Sequence, residues 1–113
     1  MNELEKKLIE YGADVAGAKE RFMGDRELYL QCIEMFRADE GFGNLGKALA
    51  AKDYRAAFEQ AHTLKGVAGN LGLTPLFTAI CAIVEPLRAG DHSDLDAKYD
   101  EIIKEKERFF SMF

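Results

Sequence analysis

The chain has 113 residues, enough for one small domain around one core. Apolar residues make up 48% of it, which excludes a disordered chain, and the net charge of −5 with both signs interspersed excludes a basic nucleic-acid surface. The longest apolar run, residues 79–84, is too short to cross a bilayer, so no membrane role is expected.

The N-terminus carries Glu3, Glu5, Lys6 and Lys7 and has no apolar run behind it, so no signal peptide is expected. The two cysteines, Cys32 and Cys81, lie in apolar helical contexts and read as small core residues in a reducing compartment. No Cys/His spacing suggests zinc. Ala, Leu, Glu and Lys are common while Val, Ile and Thr are sparse, a balance that favours helix.

In chain order, Leu4, Leu8 and Tyr11 mark a short amphipathic helix over 2–11, ended by Gly12. Asp14 caps a second, over 15–22, with Val15, Ala18 and Phe22 on its apolar side. Asp25 then opens a third helix, whose predicted core set is Leu28, Cys32 and Met35 with Phe36 alongside. Phe42, Leu45 and Leu49 stay close to that phase, which predicts one long helix over 26–51, weakened at its glycines. Two helices joined near Gly41 form the competing reading.

Asp53 caps a fourth helix, over 54–71, in which Ala57, Ala61, Leu64, Ala68 and Leu71 repeat at the alternating spacing of a bundle seam. Gly72 stops it. Thr74 then reads as a cap with Pro75 at the first helical position, followed by Leu76, Ala79, Ile80, Ile83 and Leu87. Pro86 removes a backbone donor and predicts an irregular last turn before Gly90. Ser93 reads as the cap of the last helix, which carries Leu95, Tyr99, Ile102, Lys106, Phe109 and Phe113 to the chain end. The expected fold is all-α: an up-down antiparallel four-helix bundle with one or two short N-terminal helices covering one end. Residues 1–113 are expected to form a single domain, the core bundle lying at about 26–113, and a free-standing module is expected from Met1 and Phe113 at the limits of its helices.

The fourth helix has a second face. His62, Lys65, Gly66 and Gly69 form a stripe roughly 140° around from the seam, and Arg55 and Glu59 extend it toward the N-terminus. A glycine in a helix interior costs roughly 1 kcal/mol against alanine, so two of them beside a histidine imply a close approach. An exposed imidazole is a nucleophile near neutral pH. A phosphoryl group on it would bring a charge near −2, which Lys65 would partly offset. Singly, each of these residues is an ordinary surface or packing residue. Their coincidence on one face, away from the seam, points to function.

The segment His62-Thr63-Leu64-Lys65-Gly66 through Gly69 and Leu71-Gly72-Leu73 resembles the signature of histidine-containing phosphotransfer (HPt) domains. Gly24-Asp25-Arg26-Glu27-Leu28-Tyr29 is similar to the start of that family's second long helix, and Ala51-Lys52-Asp53 with Ala61-His62 to its approach to the phosphorylated helix. The resemblance implies that His62 is the phosphoacceptor, through Nε2, that Lys65 stabilises the phosphoryl group, and that Gly66 keeps the site open. Docking would use Arg55, Glu59, Gly66, Gly69 and Asn70. The chain would relay a phosphoryl group between receiver-domain aspartates of a hybrid sensor kinase and a response regulator in a two-component phosphorelay. It would have no ATP site, no cofactor and no metal of its own, the magnesium residing on the receiver, and would act as a cytoplasmic monomer. The glutamine that some members carry on the following helix has no counterpart here.

The alternative is a degenerate helical adaptor without phosphotransfer, against which the intact His-Leu-Lys-Gly argues. A histidine kinase dimerisation domain fits less well, because the acidic residue and downstream proline of that class are missing after His62. An enzyme with His62 as general base lacks an orienting partner, since His92 is in a loop and Glu59 is the only carboxylate nearby on the stripe.

Overall fold

A computed structural model describes residues 3–112, and among them seven helices and no strand. They are α1 (Glu3–Tyr11), α2 (Val15–Arg21), α3 (Arg26–Arg37), α4 (Gly41–Ala50), α5 (Tyr54–Asn70), α6 (Thr74–Ala89) and α7 (Leu95–Ser111). Residues 1 and 2, at the predicted start of the first helix, and Phe113, at the predicted end of the last, lie outside the described residues.

Side-chain caps start three of these helices. The carboxylates of Asp14, Asp25 and Asp53 accept the backbone N–H groups of Gly17, Leu28 and Ala56 at 3.0, 3.0 and 3.2 Å. Two predicted caps are not formed. Leu73, not Thr74, is the N-cap of α6, so Pro75 follows Thr74 inside the first turn. The last helix begins after Asp94, which holds φ 57°, while Ser93 donates its hydroxyl to the Asp91 carboxylate at 2.6 Å. Pro86 does not disrupt its helix, which continues to Ala89 and ends at Gly90 with φ 75°. The carbonyl that loses a donor belongs to Ala82, an exposed residue.

The predicted helix over 26–51 is in fact two, α3 and α4, separated by residues 38–40. Asp39 makes the break. Its N–H turns back to Phe36 O at 3.1 Å and its carboxylate accepts Gly41 N–H at 2.6 Å, which diverts both groups from the helical ladder. The next element packs so closely that a Cβ at Gly41 would lie 3.0 Å from Leu64 Cδ2 of α5. The core face of α3 also differs from the expected one. Tyr29, Ile33 and Phe36 are buried, whereas Leu28 is 45% and Met35 73% exposed. Cys32, and likewise Cys81 on α6, are half-buried free thiols rather than core residues.

The bundle closes in a ring: α4 packs on α5, α5 on α6, α6 on α7, and α7 back on α4. Contacts fix the directions. Gly69 of α5 meets Phe77 of α6 while Phe58 meets Arg88, so α5 and α6 run antiparallel. On the other side, Tyr99 of α7 lies over Gly46, and its hydroxyl donates to Phe42 O at 2.8 Å, while Lys106 reaches the Phe42 ring at 4.9 Å. Thus α4 and α7 are antiparallel as well, and the polar interruption in the α7 stripe is a cation over an aromatic face. The predicted α5 seam is the core: Ala57, Ala61, Leu64, Ala68 and Leu71 are buried, facing Phe42, Leu45 and Leu49 of α4 and Leu76, Ile80 and Ile83 of α6 within one cluster. Small alanines on α5 let its neighbours approach closely, and the larger residues come from them.

The N-terminal helices hold one end of α5. Asp14 N–H donates to Gly72 O at 2.8 Å, Arg21 Nε to Asn70 O at 2.8 Å, and the Tyr29 hydroxyl to Leu71 O at 2.7 Å. These donors meet carbonyls left over at a helix C-terminus, and the guanidinium also faces the negative end of its dipole.

Candidate functional site

The site is built on the outer face of α5. Its phase is set at both ends. Asp53 caps the start, and Gly72, at φ 71°, turns the chain so that Leu73 N–H closes on Ala68 O at 3.0 Å. With the seam locked into the core, the residues opposite it have no choice but to face outward.

His62 is accordingly exposed. Its imidazole lies against Phe58 one turn earlier, with centroids 5.6 Å apart and planes inclined by 38°. Lys65 is half-buried and has no carboxylate within ion-pair distance among the described residues. Its ammonium is therefore an uncompensated cation one turn from the imidazole. Gly66 is exposed, with nothing within 4 Å of where a Cβ would stand. A helical side chain covers the turn N-terminal to its own Cα, so a residue at 66 would lie over His62. Glycine leaves that approach bare.

The other predicted residues divide. Arg55 and Glu59 are exposed and pair with each other at 3.6 Å. Glu59 is thereby engaged with Arg55, and no hydrogen bond joins it to His62. Asn70 is exposed, and its carbonyl is taken by Arg21. Gly69 does not extend the bare surface. A Cβ there would stand 3.3 Å from Phe77 Cε2, so this glycine serves the close packing of α6 on α5. In the stripe of His62, Lys65, Gly66 and Gly69, the first three thus share one outward face and the last is a packing residue.

Two residues around His62 were not singled out by sequence, Phe58 and Arg88, while His92, weighed above as an orienting partner, meets a different ring. Phe58 sits beneath His62, and its i−4 spacing was readable. Arg88 of α6 covers Phe58, with Cζ 5.3 Å from the ring centroid. His92, in the loop before α7, stacks on Tyr54 with centroids 3.6 Å apart. The last two contacts join residues far apart in sequence, and no local pattern reveals them. Among the described residues no group of three or more His, Cys, Asp or Glu side chains is arranged to hold a metal ion, and no helix is long and apolar enough to cross a membrane.

Comparison with curated proteins and with solved structures returned no match. A family model described as the Hpt domain matches residues 31–109, from the middle of α3 through most of α7, which takes in the whole of α5 and its outward face. With that match over most of its length and a helical bundle beneath it, the chain belongs to the Hpt domain family, which places it in a role related to phosphotransfer in phosphorelays.

Proposed function

We propose that His62 is the phosphoacceptor, and that the protein relays a phosphoryl group from the aspartate of one receiver domain to that of another, the first in a hybrid sensor kinase and the second a response regulator. The observation that carries this reading is the combination around one imidazole: exposure on a rigid helix, an unpaired lysine one turn on, and open backbone at Gly66.

In the forward step a lone pair on Nε2 attacks the phosphorus of the partner's aspartyl phosphate. The N–P bond forms as the P–O bond to the carboxylate breaks, and that bond's electron pair leaves with the carboxylate. The Nδ1 proton stays on the ring or passes to water. The second receiver runs the same exchange in reverse. Lys65 attracts the phosphoryl oxygens as they arrive, a charge-assisted contact that is stronger where the docked partner excludes water. The receiver supplies the magnesium ion and the acidic pocket, so the protein acts as a carrier without an ATP site. A cytoplasmic monomer is the form that suits a module visited in turn by two partners.

Incubation with a phosphorylated receiver domain and magnesium tests the reading. Acid-labile phosphate is expected on the wild type and none on His62→Gln; phosphate retained by His62→Gln sinks the assignment. A wild type that binds the receiver but takes no phosphate would be an adaptor instead. Lys65→Ala is expected to slow the transfer or shorten the lifetime of the phosphorylated form, and unchanged values would reduce Lys65 to a surface charge.

A further inference from the structure

Two side chains take no part in that chemistry, Phe58 beside His62 and Arg88 over Phe58. An exposed imidazole on a helix samples more than one χ1 well and a broad range of χ2. Here the ring leans toward the N-terminus of α5, the usual direction for a helical side chain, and comes to rest on Phe58 at 5.6 Å between centroids. Phe58 is half-buried and packs against the core cluster, so it is not itself free to follow the imidazole. Arg88 covers it from α6 with Cζ 5.3 Å from the ring centroid, and Glu85 holds Arg88 at 3.6 Å. The support of the imidazole is therefore a series running through two helices: Glu85, Arg88, Phe58, His62.

We propose that Phe58, steadied by Arg88, is a positioning residue for His62, holding the imidazole in a single rotamer ready for in-line attack on a partner's phosphoryl group. This rests on the reading of His62 as the phosphoacceptor. Fixing a nucleophile before the partner arrives lowers the entropy lost on reaching the reactive geometry, which acts on the rate at saturation and not on partner affinity. Arg88 contributes through the ring it covers, since a cation over an aromatic face restrains the ring. Phe58 also fills space against the core, so truncation to alanine would mix positioning with packing. Leucine keeps the bulk and removes the ring, and tyrosine keeps both.

The test joins kinetics to spectroscopy. With a phosphorylated receiver as donor, Phe58→Leu is expected to lower the saturating transfer rate about 5- to 10-fold while the half-saturating receiver concentration stays within about twofold. Phe58→Tyr should transfer at the wild-type rate, and Arg88→Gln should fall between the two. In the unphosphorylated protein, NMR couplings about the His62 χ1 bond should report one rotamer in the wild type and an average over rotamers in Phe58→Leu. The His62 ring protons should lose the ring-current shift imposed by Phe58 in the same variant. A Phe58→Leu protein that transfers at the wild-type rate, or loses only affinity, overturns the proposal, as do averaged couplings in the wild type. If the wild type accepts no phosphate at all, the phosphoacceptor reading has failed, and the couplings still decide whether Phe58 orients His62.

Discussion

The two glycines on the outer face of α5 have the same helical conformation and different reasons to be there. At Gly66 a methyl group meets nothing within 4 Å, so alanine should raise stability by about 1 kcal/mol through helix propensity alone. At Gly69 the same methyl group would press on Phe77 at 3.3 Å, which offsets part or all of that gain. Function should divide in the opposite sense. Gly66→Leu places a side chain over the turn that holds His62 and is expected to slow phosphotransfer with the helix intact. Gly69→Ala should leave transfer unchanged. Denaturation midpoints and transfer rates of these variants check both halves, and unimpaired transfer by Gly66→Leu would remove the argument that an open backbone is needed.

At the scale of the element, α5 is a rigid mount because its ends are fixed as well as its seam. The Asp53 carboxylate satisfies one of the orphan N–H groups at the start, and Asp53→Ala is expected to cost about 1 kcal/mol in chemical denaturation. At the other end Arg21, Tyr29 and the Asp14 backbone satisfy carbonyls of Asn70, Leu71 and Gly72. These donors, Asp14, Arg21 and Tyr29, all stand before residue 31, where the region shared with the family begins. The N-terminal segment therefore fixes the C-terminal end of α5, the helix that carries His62. Removing the hydroxyl in Tyr29→Phe leaves Leu71 O without that partner and should cost about 1 kcal/mol at neutral pH, with no direct effect on His62.

For the whole molecule the buried tyrosines predict a response to alkali. Burial, joined at Tyr11 by the nearby Glu105 carboxylate, pushes the Tyr11 and Tyr29 hydroxyls up to about 12. In the unfolded chain a tyrosine ionises at about 10. Between these values the unfolded state holds fewer protons than the folded state, so stability falls as pH rises through that window. The loss approaches about 2–3 kcal/mol for each tyrosine at the top of the window. Urea midpoints measured on either side of pH 10 should show the decline, and Tyr29→Phe should remove its share of the slope. A flat profile from neutral pH into strong alkali would contradict the assigned burial.

The sequence by itself determined the helical class, three of the caps, the seam of α5 and the outward position of His62, Lys65 and Gly66. All of these follow from periodicity and side-chain chemistry within a few residues of one another, which is the range over which a helix fixes geometry. Tertiary structure decided the rest. Leu28, Cys32 and Met35 have the spacing of a core face, yet α3 buries Tyr29, Ile33 and Phe36, because the large rings find partners in Phe22, Phe42 and Phe110. The two helices that formed the competing reading near Gly41 are the ones observed; the unbroken helix was preferred because Phe42, Leu45 and Leu49 keep nearly the phase that it would give them. Gly69 could be told from Gly66 only once α6 had brought Phe77 against one and left the other bare. The support of His62 joins the same class: Phe58 stands one turn away in sequence, but Arg88 reaches it only because α6 folds back antiparallel on α5. A short-range pattern specifies which way a residue faces on its own helix, and only the packing of helices specifies what it meets there.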